Sequence, residues 1–348
     1  MEHLAIDLGA RKSQICVRDS GGKIVLERSL ETDALATFLR SRPHSRVVVE
    51  TCTEAFHVAD HALAAGHEVR VVPATLVRSL GVGSRGIKTD RRDARVTSEV
   101  STRIDLPSVF VPTLESRQHT ALCSSRQVLV SSRTRLINHC RGWLRGQVER
   151  IRPGRSSNFP QRMRQLSVSL PTHIEAVLST LELLNTQIAT LDKEIEKLAA
   201  ADPICKRLMT VPGVGPVTAL RFTATIGDIH RFNNAHAVQS YLGLVPGENS
   251  SGSKKQRTGL TKAGNPHVRW LLIQAAWAAW RTRGCDPMVC WAKQVAQRRG
   301  NFVAVVALAR KIAGILYAIW RDESHYDPSR GAQASDERLR ALDSAIEP

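Results

Sequence analysis

Alternating apolar and polar residues in the N-terminal third of the chain predict β-strands. Residues 3–9, 13–19 and 23–29 predict three of them, and the last two are joined by the hairpin sequence DSGGK. The apolar runs VVVET and HEVRVVP predict two more, each preceded by an amphipathic helical segment, DALATFLRSR and TEAFHVADHALAAG. A further helix follows the glycine-rich segment GVGSRG. The pattern therefore predicts three strands, and then alternating helices and strands.

This order of elements is typical of the RNase H-like α/β fold. Sugar kinases and actin-like ATPases open in the same way, with a first strand that ends in an Asp-Gly turn. Those folds also need phosphate-binding glycine loops in a second half, and this sequence has none. We therefore predict an RNase H/RuvC-like α/β domain over residues 1–106.

The middle of the chain has the periodicity of long helices. A first helical stretch covers about residues 115–150. In a second stretch, apolar residues alternate spacings of three and four, which is typical of a coiled coil, at Ile174, Val177, Leu181, Leu184, Ile188, Leu191, Ile195 and Leu198. Its partner is either the preceding helix or another subunit. We assign residues 113–202 to an Arg-rich helix and coiled-coil segment.

The C-terminal part is predicted to be mainly α-helical over residues 203–322, followed by a disordered polar tail over 323–348. In LMTVPGVGPVTAL, Gly213 and Gly215 lie in a turn between two helices. That arrangement resembles a helix-hairpin-helix element, whose backbone N–H groups can hold a DNA phosphate. The alternative is a tight turn that only joins packed helices.

One C-terminal segment, FVAVVALARKIAGILYAIW, is apolar enough to raise the question of a membrane span. Arg310 and Lys311 interrupt it, so the sequence predicts a buried helix instead. Seven cysteines without a CxxC pair are typical of a reducing cytoplasm, and they argue against a disulfide framework and a structural zinc site.

The net charge of +17 favours a polyanionic partner, and its distribution says where that partner binds. Residues 106–170 carry 11 Arg, no Lys and 2 Glu, whereas residues 1–105 carry 16 basic and 14 acidic side chains. The first domain is therefore predicted to contribute chemistry, and the later segments to contribute binding. The candidate contacts in the arginine-rich helix are Arg126, Arg133, Arg135, Arg141 and Arg145.

Four carboxylates are the candidate catalytic residues of the first domain. Asp7 follows an apolar run in the first strand and Glu50 ends the run VVVE, while Asp90 and Asp93 share one face at the start of a predicted helix. Four oxygen donors suit hard divalent cations, and a pair of such ions commonly drives phosphodiester chemistry. Taken singly, Asp7 is better explained as a turn residue, and Asp90 as a helix cap or a surface charge.

A serine in a basic loop is the second candidate. Ser251 lies in SSGSKK, and a serine hydroxyl can attack phosphorus if cations neutralise the phosphate and a base takes the proton. A flexible loop that only binds phosphates has the same composition. The basic residues that follow are Lys254, Lys255, Arg257, Lys262 and Arg269.

Five motifs, in this order, resemble the DEDD transposases of the insertion-sequence one-ten family and its eleven-eleven branch, which are bridge-RNA-guided recombinases. They are AIDLGARKS, VVVET, GIKTDRRDA, VPGVGPVTA and LGLVPGENSSGSKKQRTGLTKAGNPHVR. The similarity covers roughly residues 3–320. It implies a RuvC-like domain, a coiled-coil segment and a C-terminal transposase domain with a serine nucleophile.

Carried over to this sequence, the resemblance implies that Asp7, Glu50, Asp90 and Asp93 bind Mg²⁺ and that Ser251 attacks DNA. Ser250 is adjacent, and a shift of one residue in the loop would exchange the two. The resemblance also implies that a structured RNA encoded by the element selects the DNA. Because the acids and the serine lie on separate domains, we expect that two subunits form a composite site, in a dimer or tetramer. The implied partners are then the element ends, the target DNA and the RNA. No membrane partner is expected.

Two other functions fit the same residues. A metal-dependent resolvase would hydrolyse branched DNA with the acids and water alone, without a covalent protein–DNA species. A non-enzymatic architectural protein would bind DNA or RNA through its arginines, and the acids would be dispensable.

Overall fold

A five-stranded mixed sheet forms the framework of the N-terminal part of the computed structural model, which describes residues 1–79, 89–249, 257–281 and 286–329. The strand order is β3-β2-β1-β4-β5. β1 pairs antiparallel with β2 and parallel with β4, because β2 follows after a short turn whereas β4 is reached through a helix. The strands are β1 (Glu2–Asp7), β2 (Lys12–Arg18), β3 (Ile24–Glu31), β4 (Ser45–Glu50) and β5 (Glu68–Val72).

Helices cover both faces of the sheet, namely α1 (Leu35–Arg40), α2 (Ala55–Ala64), α3 (Ala74–Ser79) and α4 (Asp90–Arg103). α1 and α2 pack on the face that carries Leu4, Ile6 and Val47. α4 packs on the opposite face, along β1 and β2. Burial on both faces explains why the central strands are continuous apolar runs.

Two long helices open the second part of the chain: α5 (Leu114–Gly146) and, after the short α6 (Phe159–Arg164), α7 (Thr172–Ala201). α7 packs along α5. Of the predicted heptad positions, those seven residues apart from Ile174 to Ile195 are buried, whereas the intervening ones are only half-buried: Val177, Leu184, Leu191 and Leu198. The heptad pattern thus correctly locates the helix and the face that packs, while a coiled coil remains a prediction.

Six more helices and a two-stranded hairpin complete the described chain. α9 is buried on nearly all sides, and its Arg221 donates to the Thr120 carbonyl at 2.5 Å and to the Ser124 hydroxyl at 2.9 Å, which ties it to α5. The elements are α8 (Pro203–Leu208), α9 (Pro216–Ile226), α10 (Ala235–Tyr241), β6 (Pro246–Glu248), β7 (Arg257–Leu260), α11 (Pro266–Arg281), α12 (Pro287–Arg299) and α13 (Asn301–Arg321).

Among the described helices, α13 alone has the length and apolar composition to cross a membrane. Its apolar face packs against α10, α11 and α12, in the core around Leu308, Ile312 and Leu316. That packing accounts for the apolar run as a core helix. Beyond it, the Tyr326 hydroxyl donates to the Asp286 carboxylate at 2.9 Å, while residues 330–348 lie outside the described part.

The chain divides into two compact units, Met1–Pro112 and Thr113–Pro348. α5 and α7 belong to the second unit, because both pack on α9. Cysteine usage differs from the expectation in one respect, since Cys290 takes part in a disulfide bond that its spacing did not indicate. Described free thiols are Cys16, Cys52, Cys123, Cys140 and Cys205.

Candidate active site

Asp7 and Glu50 lie side by side at one edge of the sheet. The parallel register pairs Ile6 of β1 with Val49 of β4, so the next residues on each strand are the two acids. Adjacent strands are about 4.8 Å apart, and alternation places both side chains on the face that α4 covers. Both residues are half-buried. This pair was predicted from two separate sequence motifs, and the register brings it together.

α4 sits on that same face through three polar contacts. Ser101 Oγ lies 2.9 Å from His3 Nδ1. Ser98 Oγ lies 3.2 Å from the Cys16 sulfur, and it accepts a hydrogen bond from Arg18 Nε at 3.1 Å. Ser101 contacts His3 at the start of β1, whereas Ser98 contacts Cys16, which pairs with Ala5 in the middle of β1. α4 therefore runs antiparallel to β1.

The direction of α4 determines where its acids lie. From Ser98 back to Asp93 the helix rises about 7.5 Å, and from Ala5 to Asp7 the strand rises about 6.6 Å. Since Cys16 pairs with Ala5, Asp93 lies at the level of Asp7. The side chain of Asp93 is buried against the sheet, with 6 % of the residue exposed. Asp7, Glu50 and Asp93 therefore share one edge and one face of the sheet.

Asp90 differs from the other three acids because it is exposed. It is the first residue of α4, and Thr89 caps that helix by accepting a hydrogen bond from the Arg92 N–H. A carboxylate in the first turn of a helix is stabilised by the N-terminal end of the helix dipole. Asp90 is thus held one helical turn before Asp93, on the solvent side of the set.

Glu27 fixes the first turns of α4 to β3, a contact that the sequence analysis did not anticipate. Its carboxylate accepts hydrogen bonds from Arg95 Nη2 at 2.7 Å and from Arg91 Nη2 at 2.6 Å. The hydrogen bonds from these guanidinium groups lower the pKa of Glu27 to about 2, and the bond from Arg95 has the larger effect. Charged residues spaced by four on a helix could have indicated a shared partner, but not which strand supplies it.

The donor chemistry of the four acids suits a hard divalent cation, since carboxylate oxygens are the ligands that Mg²⁺ takes in proteins. As placed, however, the described residues contain no group of three or more His, Cys, Asp or Glu side chains gathered so as to hold a metal ion. The fold places Asp7, Glu50 and Asp93 at one edge of the sheet, but among the described residues their side chains do not form a complete metal site.

The predicted nucleophile lies, in the sequence, between two paired strands. β6 and β7 are antiparallel, with Pro246 opposite Leu260 and Glu248 opposite Arg257. Ser251, Ser250, Lys254, Lys255 and the side chain of Arg257 lie outside the described residues. The structure describes the strands β6 and β7 on either side of this segment.

Arg269 and two glycines hold the base of the hairpin. Arg269 Nη1 donates to the carbonyls of Ala263 at 2.6 Å and Leu242 at 3.1 Å. Gly264 has φ +72°, and a Cβ there would lie 2.0 Å from the Tyr241 carbonyl. Gly243 is equally confined by the Ala263 carbonyl. The side chain of Arg269, predicted to contact nucleic acid, thus makes hydrogen bonds within the protein, while that of Lys262 is exposed.

The turn with Gly213 and Gly215 connects α8 and α9. Gly213 has φ +85°, and a Cβ on it would lie 2.1 Å from the Ala275 carbonyl of α11. That close approach of two backbones is a sufficient reason for glycine at this position. Gly215 is the N-cap of α9 and has open space around it. Of the two glycines, Gly215 is the one left to approach a phosphate.

The arginines of α5 fall into two groups. Arg126 forms an ion pair with Asp192 of α7, and Arg133 Nη1 donates to Asn185 Oδ1 at 3.2 Å. Burial, together with the charge of Arg126, lowers the pKa of Arg133. These two residues join the long helices to each other. Arg135 is exposed.

Arg141 and Arg145 line a cavity of about 520 Å³ at the C-terminal end of α5. A third arginine, Arg150, lines it from the connector that follows the helix. Arg141 also lies 5.8 Å from the centre of the Phe159 ring. The sequence analysis missed Arg150, because its place in the cavity depends on how the chain turns after Gly146. The other lining residues are Leu144, Glu149, Ile151 and Pro153.

Comparison with known proteins gives matches to two families of transposases. Residues 205–287 match the transposase family IS116/IS110/IS902, and residues 4–148 match the DEDD transposases of the IS110 type. The chain is 32% identical, over 93% of its length and 90% of the relative's, to the transposase for insertion sequence element IS1111A of Coxiella burnetii.

Two further relatives are similar over nearly their whole lengths. A probable family 20 transposase of Pseudomonas aeruginosa is 30% identical, with coverage of 94% of this chain and 99% of that protein. The transposase for insertion sequence element IS1328 of Yersinia enterocolitica is 26% identical, with coverage of 91% and 96%. Both family matches include candidate residues, because the DEDD match spans the four acids and the other spans the serine loop.

Proposed function

Since the chain belongs to the IS110/IS1111 family of insertion-sequence transposases, we propose that it is a site-specific recombinase that cuts and rejoins DNA with four acids and Ser251. The observation that carries this proposal is the convergence of Asp7, Glu50 and Asp93 on one edge and face of the sheet. The same strand order supports a RuvC-like identity for the first unit.

In this proposal, Asp7, Glu50, Asp90 and Asp93 would hold Mg²⁺. When bound, the ion supplies positive charge against the charge that develops on the phosphate oxygens. The protein's own contribution is to keep Asp7 and Glu50 at fixed strand ends and Asp93 on a helix anchored to those strands.

Ser251 supplies the nucleophile. Its Oγ forms a bond to phosphorus while the phosphorus–oxygen bond to the neighbouring deoxyribose breaks, and the hydroxyl proton is taken up by a base at the site. The DNA strand leaves with a free hydroxyl, and the protein keeps a phosphodiester to serine. Attack by another strand's hydroxyl reverses the step, so that strands are rejoined without an external energy source.

The arginines outside the internal contacts are the proposed nucleic-acid surface. Arg141, Arg145 and Arg150 around their cavity can grip phosphates with paired N–H groups. We propose that this surface binds the backbone of DNA and of an element-encoded guide RNA. α7 packs along α5, yet apolar heptad positions such as Leu184 and Leu191 stay half-buried. These positions support a coiled coil with another subunit, in a dimer or tetramer.

A nicked DNA substrate tests the nucleophile, because loss of the short strand beyond the nick prevents rejoining. The wild-type protein should form an adduct that survives denaturant. Ser251→Ala should lose the adduct and strand exchange while binding DNA and metal normally. Ser250→Ala is the matched control and should keep both activities.

The outcomes separate the rival functions. If Ser250→Ala loses the adduct and Ser251→Ala keeps it, the nucleophile is Ser250. If both variants cleave at the wild-type rate, water is the nucleophile and the protein is a resolvase-like nuclease. If the wild type binds DNA but cleaves none, and conversion of the acids to amides leaves that binding unchanged, the protein binds nucleic acid without catalysing its cleavage.

A further inference from the structure

The corner between α12 and α13 exposes a large aromatic ring that the fold does not need there. Residues 297–303 are all exposed, and Phe302 has 81 % of its surface in contact with solvent. The buried face of α13 begins two residues later, at Ala304. Phe302 therefore contributes little to the core, while its ring keeps most of its apolar surface in water.

Phe302 is the outermost member of an aromatic cluster. Its ring centre lies 6.1 Å from that of Trp277 on α11, at an interplanar angle of 81°. Trp277 lies 6.3 Å from Trp280, and the guanidinium carbon of Arg281 lies 5.9 Å from the Trp277 ring centre. Both tryptophans are half-buried against the core. They give Phe302 a firm support on one side and leave its other side open.

The charged residues on either side of Phe302 in the sequence are all basic. Arg298 and Arg299 end α12 only a few residues before Phe302, and both are exposed. Residues 287–321 contain no Asp or Glu. An exposed ring beside only positive charge suits single-stranded nucleic acid, which combines bases that stack with a negatively charged backbone.

We infer that the corner formed by Phe302, Arg298 and Arg299 is a binding site for unpaired DNA, in which a base stacks on Phe302 and the adjoining phosphates contact the two arginines. This inference rests on the proposed function, because cutting and exchanging strands exposes bases that have left the duplex. The site would hold such a strand during the exchange.

Titration of the full-length protein with a labelled thymidine oligonucleotide tests the site. Loss of one stacked base should weaken binding roughly tenfold in Phe302→Ala. Phe302→Trp should bind at least as well as wild type. Phe302→Leu keeps the apolar bulk but has no ring on which a base can stack, so it should bind as weakly as the alanine variant. Leu63→Ala, at an exposed position on α2, is the matched control and should change nothing.

The arginines have a separate signature. Replacing both Arg298 and Arg299 by alanine should reduce the salt dependence of binding, with the slope of log affinity against log salt falling by about two. Phe302→Ala should leave that slope unchanged, since stacking releases no counterions. Duplex binding should be affected far less by Phe302→Ala than oligonucleotide binding.

Several results would overturn the inference. Unchanged oligonucleotide affinity in Phe302→Ala excludes stacking, and wild-type affinity in Phe302→Leu excludes a requirement for the ring. Loss of binding to an RNA of the same sequence, with DNA unaffected, would assign the corner to RNA. A smaller oligomer in light scattering, with normal DNA affinity, would make it a subunit interface. If the wild type binds no DNA at all, both the inference and the proposed function are wrong. If the wild type binds duplex DNA normally but Phe302→Ala does not change oligonucleotide binding, only the inference about this site is wrong.

Discussion

The acid-bearing edge of the first unit and the arginine-rich helix of the second use charged side chains in opposite ways. At the sheet edge, Asp7, Glu50 and Asp93 occupy the ends of regular elements, and neighbouring polar groups fix those elements. On α5, Arg126 and Arg133 connect two helices of the same chain, while Arg141 and Arg145 line a cavity with Arg150. An excess of arginine in the sequence therefore overstates the surface available to a polyanion.

The largest effect is expected at the sheet edge. Asp7→Asn, Glu50→Gln and Asp93→Asn should each lower DNA cleavage by on the order of 10²–10³-fold or more, since each removes a charge required at the site without changing its shape. Filter binding should show DNA affinity close to wild type, because the arginine surface is untouched. Full cleavage activity of Asp7→Asn with Mg²⁺ would contradict the metal-site proposal.

Asp90 sharpens the same comparison, because it alone of the four is exposed. If it contributes a ligand as the other acids do, Asp90→Asn should be as inactive as Asp93→Asn. An activity close to wild type would restrict the site to the three acids that the structure places together.

The cavity lined by Arg141, Arg145 and Arg150 should govern the salt dependence of nucleic-acid binding. Removing one arginine that binds a phosphate should lower the slope of log affinity against log salt by about one. The triple alanine variant should therefore flatten the slope by about three, in titrations between about 50 and 200 mM salt. An unchanged slope would move the binding surface away from α5, to the segment between Lys254 and Arg269.

The strands of the sheet and the long helices were predictable because they follow local apolar periodicity. The strands β6 and β7, of three and four residues, are too short to show that periodicity and were not predicted. The five strands and the long helices were located from that pattern, to within a few residues at their ends. That Asp7 and Glu50 belong to one site was a hypothesis drawn from two motifs, because local periodicity does not give the register of β1 and β4. The same limit applies to Arg126 and Asp192, which lie 66 residues apart. A sequence shows which residue types are present, but not which of them neutralise one another.

Arg126 tests that distinction directly. Arg126→Ala leaves the Asp192 carboxylate without its cation in a partly buried place, so the free energy of unfolding should fall by about 1–2 kcal/mol. Urea denaturation measures this loss. The salt slope of DNA binding should stay at the wild-type value. Arg135→Ala, at an exposed position on the same helix, should leave stability unchanged, and equal destabilisation of both variants would remove the distinction between the two groups of arginines.

The smallest effect is expected from Glu27, which anchors α4 without taking part in the chemistry. In the unfolded chain its pKa returns to the ordinary 4.5, whereas in the folded chain Arg95 and Arg91 lower it to about 2. The ion pairs therefore stabilise the first unit fully above pH 4.5, and that stabilisation is lost as the pH falls towards 2. Glu27→Gln should lack this component, so thermal melts of the variant should depend less on pH over that window. Because α4 carries Asp93, cleavage should also fall several-fold at neutral pH.

Glu31→Gln is the matched control on the same strand. Glu31 forms an ion pair with Lys12, and both side chains are exposed, so this variant should match wild type in both measurements. If Glu27→Gln and Glu31→Gln behave alike, the position of α4 is determined by its buried contacts with Cys16 and His3 alone.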